Sequence, residues 1–195
     1  MTEGNRVEAV LIGTSAGGTE ALRLLLPGLP KNFPAAVIVV QHLHAGQDGS
    51  LAQHYARGCA LPVHEVLDKE PIWPGRVYLA PANYHLLVEP DKTFSLSSDE
   101  KVNHSRPCID VTLESASEVY GPRAVGLILT GANSDGALGL AALRAEGGLA
   151  VVQDPATAMY PAMPEAALRR AGADLVLSLE DMAAWLGKLA LEGTV

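Results

Sequence analysis

The segment VEAVLIGTSAGG, residues 7–18, decides the fold class of this chain. Its first half, Val7 to Ile12, is an almost continuous apolar run, which is typical of a parallel strand buried on both faces. Its second half is a glycine-rich turn, and the leucines and alanines that follow have helical spacing as far as Pro27-Gly28. A buried strand, a tight turn and a buried helix in succession predict the first unit of an α/β fold.

The same alternation continues along most of the chain. Further buried strands are predicted at residues 35–40, 63–66, 124–129, 149–152 and 175–177, and helices at residues 48–58, 109–120, through 141–143, 164–170 and 179–191. Three short strands in the middle, 76–80, 84–88 and 93–96, predict an antiparallel hairpin or meander on the sheet edge. We therefore predict one doubly wound α/β domain over residues 1–195, with its core at about 7–186. It has a mainly parallel sheet, helices on both faces and an antiparallel hairpin at the edge.

The composition is that of a globular protein and argues against several classes of partner. Of the 195 residues 48% are hydrophobic and 18% are charged, and the formal net charge at pH 7 is -8. Because nucleic acids and anionic membrane surfaces attract basic proteins, this charge disfavours both partners. The longest apolar runs have the length of a strand, and no apolar signal core follows the N-terminus. We expect a cytoplasmic protein with no membrane insertion, in which Cys59 and Cys108 are free thiols.

Three polar residues that could form a hydrolytic triad each follow a predicted buried strand. The first is Ser15, in a turn that satisfies the pattern G-x-S-x-G between strand and helix. Small neighbours allow a sharp turn that exposes the Ser15 hydroxyl as a nucleophile, with the backbone N–H of Ala16 as an oxyanion donor. A phosphate-binding turn or a plain tight turn remains an alternative, because helix N-termini bind anions readily.

The second is His42, which ends the predicted strand 35–40 and would act as general base toward Ser15. His44 lies two residues further on and is the rival base, because residues two apart on a strand share a face. A metal site made of His42, His44 and His54 lacks a cysteine or carboxylate at ligand spacing, so we expect no metal. The other histidines are expected in structural or surface positions: His64, His85 and His104.

The third is Asp135, in the loop after strand 124–129, where it would hold the His42 imidazole and stabilise its cation. The alternative for Asp135 is an ordinary N-cap of the following helix. Three other aspartates compete for the role on sequence grounds: Asp48, Asp110 and Asp154. Since the carboxyl ends of parallel strands meet at one edge of a sheet, the three segments are expected to converge.

Taken together, these segments resemble the catalytic domain of the chemotaxis protein-glutamate methylesterases, the CheB family. The matching pieces run in order from about residue 7 to residue 186: Ile12–Ala21, Val40–His42, Tyr78–Pro81, Arg106-Pro107 with Asp110-Val111, Val125–Gly131 with Asp135–Ala137, and Met163–Ala166. The resemblance implies a serine hydrolase with Ser15, His42 and Asp135 as its triad and the N–H groups of Ala16 and Ala132 as oxyanion donors. It implies no metal or organic cofactor.

The resemblance also implies a substrate and a partner. The substrate is the γ-methyl ester of glutamate on the cytoplasmic domain of methyl-accepting chemoreceptors, hydrolysed with release of methanol, and receptor glutamines are deamidated by related chemistry. Family members carry an N-terminal receiver domain, whereas six residues precede the first predicted strand here. We expect either constitutive activity or control by a separate partner, such as a response regulator or a methyltransferase.

The chain departs from the family pattern at several positions beside the predicted site. Ala132 stands where the family usually has methionine, which keeps the backbone donor and makes the wall of the pocket smaller. Asn133-Ser134 and His44-Ala45 also differ, and Cys108 replaces a small hydroxyl residue. Two alternatives to the methylesterase therefore stay open. One is a weakly active adaptor that binds a receptor or methyltransferase, and the other is a hydrolase of a different small ester or amide.

Overall fold

The computed structural model describes residues 6–42 and 50–193. In chain order the elements are β1 (Ala9–Thr14), α1 (Gly18–Leu25), β2 (Ala36–Gln41), α2 (Ser50–Ala56), β3 (Val63–Glu65), β4 (Val77–Leu79), β5 (His85–Val88), β6 (Phe94–Ser97), α3 (Ile109–Tyr120), β7 (Ala124–Ile128), α4 (Ala137–Ala145), β8 (Leu149–Gln153), α5 (Ala162–Arg170), β9 (Leu175–Leu177) and α6 (Leu179–Glu192). Short 3₁₀ turns follow α1 and α3. Most elements lie within two residues of their predicted positions, because their apolar periodicity is strong.

Seven of these strands form one parallel sheet in the order β3-β4-β2-β1-β7-β8-β9. Every residue of β1, β2 and β7 is buried, as expected for central strands covered on both faces. Alternate residues of β1 point to opposite faces. Val10 and Ile12 pack with α1 and α6, whereas Ala9 and Leu11 pack with α3 and α4. The doubly wound α/β prediction is confirmed.

The middle of the chain differs from the prediction at one strand. The segment 76–80 was expected to form part of an antiparallel meander, but β4 is a parallel strand inside the main sheet, between β3 and β2. All three of its residues are buried, which matches its unbroken apolar sequence. Among the strands of the described residues, only β5 and β6 pair antiparallel, with Leu86 opposite Leu96. They form a separate two-stranded sheet against α3 rather than an extension of the main sheet.

The strand order determines where polar side chains can meet. The chain moves from β1 to β2 on one side, and β7 later pairs with β1 on the other side. In an open α/β sheet such a reversal leaves a crevice outside the carboxyl ends of the strands. The loops after β1 and β7 border this crevice, together with His42 directly after β2. In the described part of the chain, no helix is both long and apolar enough to cross a membrane.

Candidate active site

The turn after β1 is tied to the loop after β7. The Ser15 N–H donates to the Thr130 carbonyl oxygen over 3.1 Å, and the Thr14 hydroxyl donates to the same oxygen over 2.9 Å. Gly17 has a φ of 78°, a left-handed conformation, and a Cβ there would lie 3.1 Å from the Cβ of Met159. The glycine therefore allows the chain to turn directly into α1 while Ser15 stays half-exposed at the end of β1.

His42 lies between the other two predicted residues. Its backbone N–H donates to the Thr14 carbonyl oxygen over 3.1 Å, which holds the end of β2 beside the end of β1. Its ring Nδ1 is 3.2 Å from the Ser15 hydroxyl oxygen, and its Nε2 is 2.7 Å from Asp135 Oδ2. A carboxylate can only accept, so Nε2 carries the proton and the lone pair of Nδ1 faces the serine. This tautomer is the one that can take a proton from Ser15.

Asp135 is the most heavily hydrogen-bonded side chain of the cluster and is 1% exposed. Its Oδ2 accepts from His42 and, over 2.7 Å, from the Ile109 backbone N–H. Its Oδ1 accepts from the Cys108 thiol over 3.0 Å and from the Asp110 backbone N–H over 3.1 Å. Burial by itself raises the pKa of Asp135, but the hydrogen bonds from His42, Cys108 and Ile109 outweigh it and hold the pKa well below its usual range. The group is therefore a fixed anion.

The alternative role of Asp135 as an N-cap of its own helix is wrong, although the residue does cap a helix. The N-cap of α4 is Gly136, with no side-chain hydrogen bond. The Asp135 carboxylate lies instead against the first N–H groups of α3, at Ile109 and Asp110. These groups have no acceptor within their own helix, and the helix dipole favours an anion there. The helix start thus orients the carboxylate toward His42.

Asp110, in the first turn of α3, accepts in turn from a backbone N–H in the first turn of α4. Its Oδ1 accepts from the Gly139 backbone N–H over 2.7 Å, and its Oδ2 accepts from the Asn103 side-chain amide over 2.9 Å. The same Asn103 nitrogen is 3.1 Å from Asp135 Oδ1, so one amide bridges the two carboxyl groups. Burial, partly offset by the hydrogen bond from Gly139, together with the charge of Asp135 raises the pKa of Asp110 to about 6.

The only group in the described residues that could supply three close metal-ligand atoms belongs to this cluster. Atoms of Cys108, Asp110 and Asp135 lie within 4.8 Å of one another. However, the carboxylate oxygens already accept backbone and side-chain N–H donors, and burial beside Asp135 raises the pKa of the Cys108 thiol far above its usual value. A protonated thiol is a poor metal ligand, so the chemistry of the set fits a hydrogen-bonded cluster better than a metal site.

The two predicted oxyanion donors lie on the loops that flank Ser15. Ala16 is half-buried at the start of the turn, and Ala132 is exposed in the loop after β7. Within residues 6–42 and 50–193, neither backbone N–H has a hydrogen-bond acceptor. The Ala16 carbonyl oxygen accepts from the Thr130 hydroxyl over 3.0 Å, which fixes the orientation of this part of the turn.

Sequence reasoning missed three side chains that contact the triad candidates. Asn133 donates toward His42 Nδ1 over 3.2 Å, and its own carbonyl oxygen accepts from the Asp135 N–H over 3.1 Å. Asn103 and Cys108 contact Asp135, as described above. Asn133 and Cys108 were noted only as departures from the family pattern. Asn103 had no signal, because it reaches the site from a loop 32 residues away from Asp135 in sequence.

The competing residues are placed elsewhere or lie outside the described residues. His44 and Asp48 fall in the segment 43–49, which is outside them. Asp154 accepts from the Ala156 N–H of its own turn. The other histidines lie apart from Ser15: His54 is exposed on α2, His64 bonds to Glu70, His85 bonds to the Glu100 carbonyl oxygen and His104 is in an exposed loop.

Comparison with known proteins connects this geometry to a family. Residues 10–186 match the family model described as CheB methylesterase. A Leptospira interrogans protein named "Putative protein-glutamate methylesterase/protein-glutamine glutaminase" is 52% identical over 176 residues, which cover 90% of this chain and 91% of that protein. A Thermotoga maritima protein with the name "Protein-glutamate methylesterase/protein-glutamine glutaminase" is 38% identical over 171 residues, which cover 86% of this chain and 50% of that protein.

A solved structure extends the similarity to three dimensions. The crystal structure of the Thermotoga maritima CheB methylesterase catalytic domain superposes on this chain with a TM-score of 0.89 at 36% sequence identity. The match covers 94% of this chain and 98% of that one. Sequence and fold thus point to the same relatives.

Proposed function

The chain belongs to the CheB methylesterase family, and from this membership we propose that it hydrolyses glutamate γ-methyl esters on chemoreceptors. The observation that carries the proposal is the pair of contacts made by His42, 3.2 Å to Ser15 and 2.7 Å to Asp135. The proposed partner is the cytoplasmic domain of a methyl-accepting chemoreceptor, and the proposed location is the cytoplasm. We also propose that residues 1–195 form one catalytic domain.

The proposed reaction follows from the protonation of the imidazole. His42 Nδ1 takes the proton of Ser15 as the serine oxygen attacks the γ-carbonyl carbon. Asp135 stabilises the resulting imidazolium through Nε2–H, and the N–H groups of Ala16 and Ala132 bind the oxyanion. His42 then returns the proton to the leaving methanol. Water hydrolyses the acyl-serine by the same route, which yields glutamate and restores Ser15.

Deamidation of receptor glutamines is proposed as a second reaction of the same site. The carbonyl group is equivalent, and the leaving group is ammonia in place of methanol. The same proton on His42 would be delivered to the leaving nitrogen. The names of the Leptospira and Thermotoga relatives include both activities, which supports the pairing.

The test is methanol release from a methylated chemoreceptor cytoplasmic fragment, with the wild type beside Ser15→Ala. We expect release by the wild type and a loss of roughly 10⁴-fold or more in the variant, because the other two groups have no nucleophile to activate. Thermal unfolding should be unchanged, since Ser15 is half-exposed. Equal thermal unfolding of the two proteins is the control that excludes misfolding as the cause of lost release.

The choice of general base is tested in the same assay. His42→Ala should abolish release as Ser15→Ala does, and the double variant should be no worse than either single one. His44→Ala should retain release. If His44→Ala alone removed activity, the base would be misassigned. If neither the receptor fragment nor a simple ester were turned over by the wild type, the adaptor alternative would replace the enzyme.

A further inference from the structure

Asp110 is a buried carboxyl group that the proposed reaction does not use, yet it lies directly behind the residues that do. Its side chain is joined to Asp135 through the amide of Asn103, which is 2.9 Å from Asp110 and 3.1 Å from Asp135. Asp110 is 4% exposed and Asp135 is 1% exposed. Two carboxyl groups that lie this close together and are this deeply buried repel each other when both are ionised.

The two carboxyl groups are held by different numbers of donors. Asp135 accepts from two backbone N–H groups of α3 and from the Gly136 N–H, as well as from Cys108, Asn103 and His42. Asp110 accepts only from Gly139 and Asn103 among the described residues. The carboxyl group with more hydrogen-bond donors keeps its charge, and the other takes the proton first. Asp110 is therefore the member of the pair that changes charge in the working range of pH, since its pKa is about 6.

We propose that Asp110 is a positioning residue that acts through Asp135, supplying a second negative charge behind His42 when it is ionised. The inference rests on the proposed function, because it assumes that His42 becomes a cation during the reaction. A second anion behind Asp135 stabilises that cation, as any nearby opposite charge does in a poorly solvated site. When Asp110 is protonated, this stabilisation is lost while the hydrogen bonds of Asp135 remain.

The elements around Asp110 also carry other titratable groups, none of which hydrogen-bonds to His42 in the described part of the chain. Among the described residues, the strands β1, β2 and β7 that pack against α3 carry no titratable side chain. The titratable groups of the other neighbouring elements and of α3 itself are His85 on β5, Arg144 at the far end of α4, Arg123 after α3, Glu114, Glu118 and Tyr120 further along α3, and Lys101, His104 and Arg106 on the loop that carries Asn103. A surface cavity of about 410 Å³ lined by Asp110 also carries Arg169 and Arg170 from α5. Cys108 beside it is a neutral thiol, because its pKa is raised.

The test compares kcat of the wild type and Asp110→Asn between pH 5 and pH 8. Above pH 7, where wild-type Asp110 is ionised, we expect the variant to be slower by roughly tenfold, the order of effect of one nearby charge at intermediate polarity. Toward pH 5, where Asp110 is protonated in the wild type, the two rates should converge. A merely structural role would give a ratio that does not change with pH, and that result would overturn the proposal.

A second variant and a matched control guard against misfolding. Asp110→Ser keeps an oxygen that can accept from Gly139 and should show the same pH-dependent ratio. Asp154→Asn makes the same chemical change at a carboxylate that bonds only within its own turn among the described residues, and its rate ratio should stay near one at every pH. If the rate ratio of Asp154→Asn to the wild type also changed with pH, the effect would belong to surface charge in general, and the proposal would be rejected.

A measurement without turnover separates this inference from the proposed function. In protein labelled with ¹³C at aspartate carboxyls, one resonance should titrate near pH 6 and be absent from Asp110→Asn. The Nε2 proton of His42, which lies in the bond to Asp135, should shift over the same pH range in the wild type only. If the carboxyl titrates without moving the His42 proton, Asp110 does not act through Asp135, whatever substrate the protein hydrolyses.

Discussion

The starts of α1 and α3 lie at the same edge of the sheet and are used in opposite ways. At α3, the Asp135 carboxylate accepts from the N–H groups of Ile109 and Asp110 and remains there as a permanent anion. The turn before α1 has no side-chain cap, and in the described residues the Ala16 N–H has no acceptor. Both helix starts favour negative charge. One is occupied by the protein itself, and the other is left open.

The difference shows how one physical effect can serve two purposes in a single site. A filled helix start holds a carboxylate in one orientation, which suits a group that must orient an imidazole throughout the reaction. An open start offers donors whose geometry is fixed but whose acceptor is absent, which suits an oxyanion that forms only in the transition state. The proposed triad lies between the two, since His42 connects Ser15 before α1 to Asp135 at α3.

Removing the carboxylate from the start of α3 should have the largest effect on turnover. Asp135→Asn removes the anion from α3 and presents an amide to His42, so we expect turnover to fall by up to about 10⁴-fold, as for triad aspartates generally. The free energy of unfolding at pH 7 should fall by about 2 kcal/mol, the cost of leaving buried donors poorly paired. Chemical denaturation and methanol release measure the two effects, with Asp154→Asn as control. A variant as active as the wild type would reject the role of Asp135.

The pH dependence of that stability loss sharpens the prediction. Because the folded-state pKa of Asp135 is lowered, its ionisation stabilises the fold above the unfolded-state pKa of about 3.9. This contribution is lost as the pH falls below that value. The gap between the wild type and Asp135→Asn should therefore narrow from pH 5 to pH 2. A gap that stays constant across this range would show that packing, and not charge, causes the loss.

Placing a carboxylate at the start of α1 should have the next largest effect on turnover. Ala16→Asp places a carboxylate beside the donors in front of α1, where it would repel a developing oxyanion and compete for the same N–H groups. We expect kcat to fall by roughly 10²- to 10³-fold, the range observed when one oxyanion donor is removed. Ala16→Asn has nearly the same shape without the charge and should lose much less. Equal losses in the two variants would point to a steric cause.

The smallest expected effect concerns the side chain at the second oxyanion position. Ala132→Met restores the residue that the family usually has and leaves the backbone N–H in place. Because Ala132 is exposed, we expect unchanged stability and a change in KM of less than about tenfold, with kcat nearly constant. Steady-state kinetics on the methylated receptor fragment and on a simple ester test this. A large drop in kcat on both substrates would show that the N–H has been displaced.

Much of the fold could be predicted because its signals are local. The central strands are unbroken apolar runs, and β9 begins and ends at its predicted residues, 175 and 177. The placement of β4 was wrong because short strands in succession suggest antiparallel pairing with the next strand, whereas β4 pairs in parallel with β3 and with β2, which ends more than 30 residues earlier. Its continuous burial was visible in the sequence, but its partners were not.

The sequence by itself determined that polar residues following the central strands could meet, with Ser15, His42 and Asp135 as the predicted set and His44, Asp48, Asp110 and Asp154 as open rivals. That inference needs only strand periodicity and the rule that parallel strands share a carboxyl edge. Tertiary structure alone decided that Asp135 caps α3 rather than α4, that Asn103 joins it to Asp110, and that Asp110 is buried there. These contacts bring together residues 25 or more positions apart in sequence, except for that between Asn103 and Asp110. Their energies depend on desolvation and on helix orientation, which no local pattern encodes.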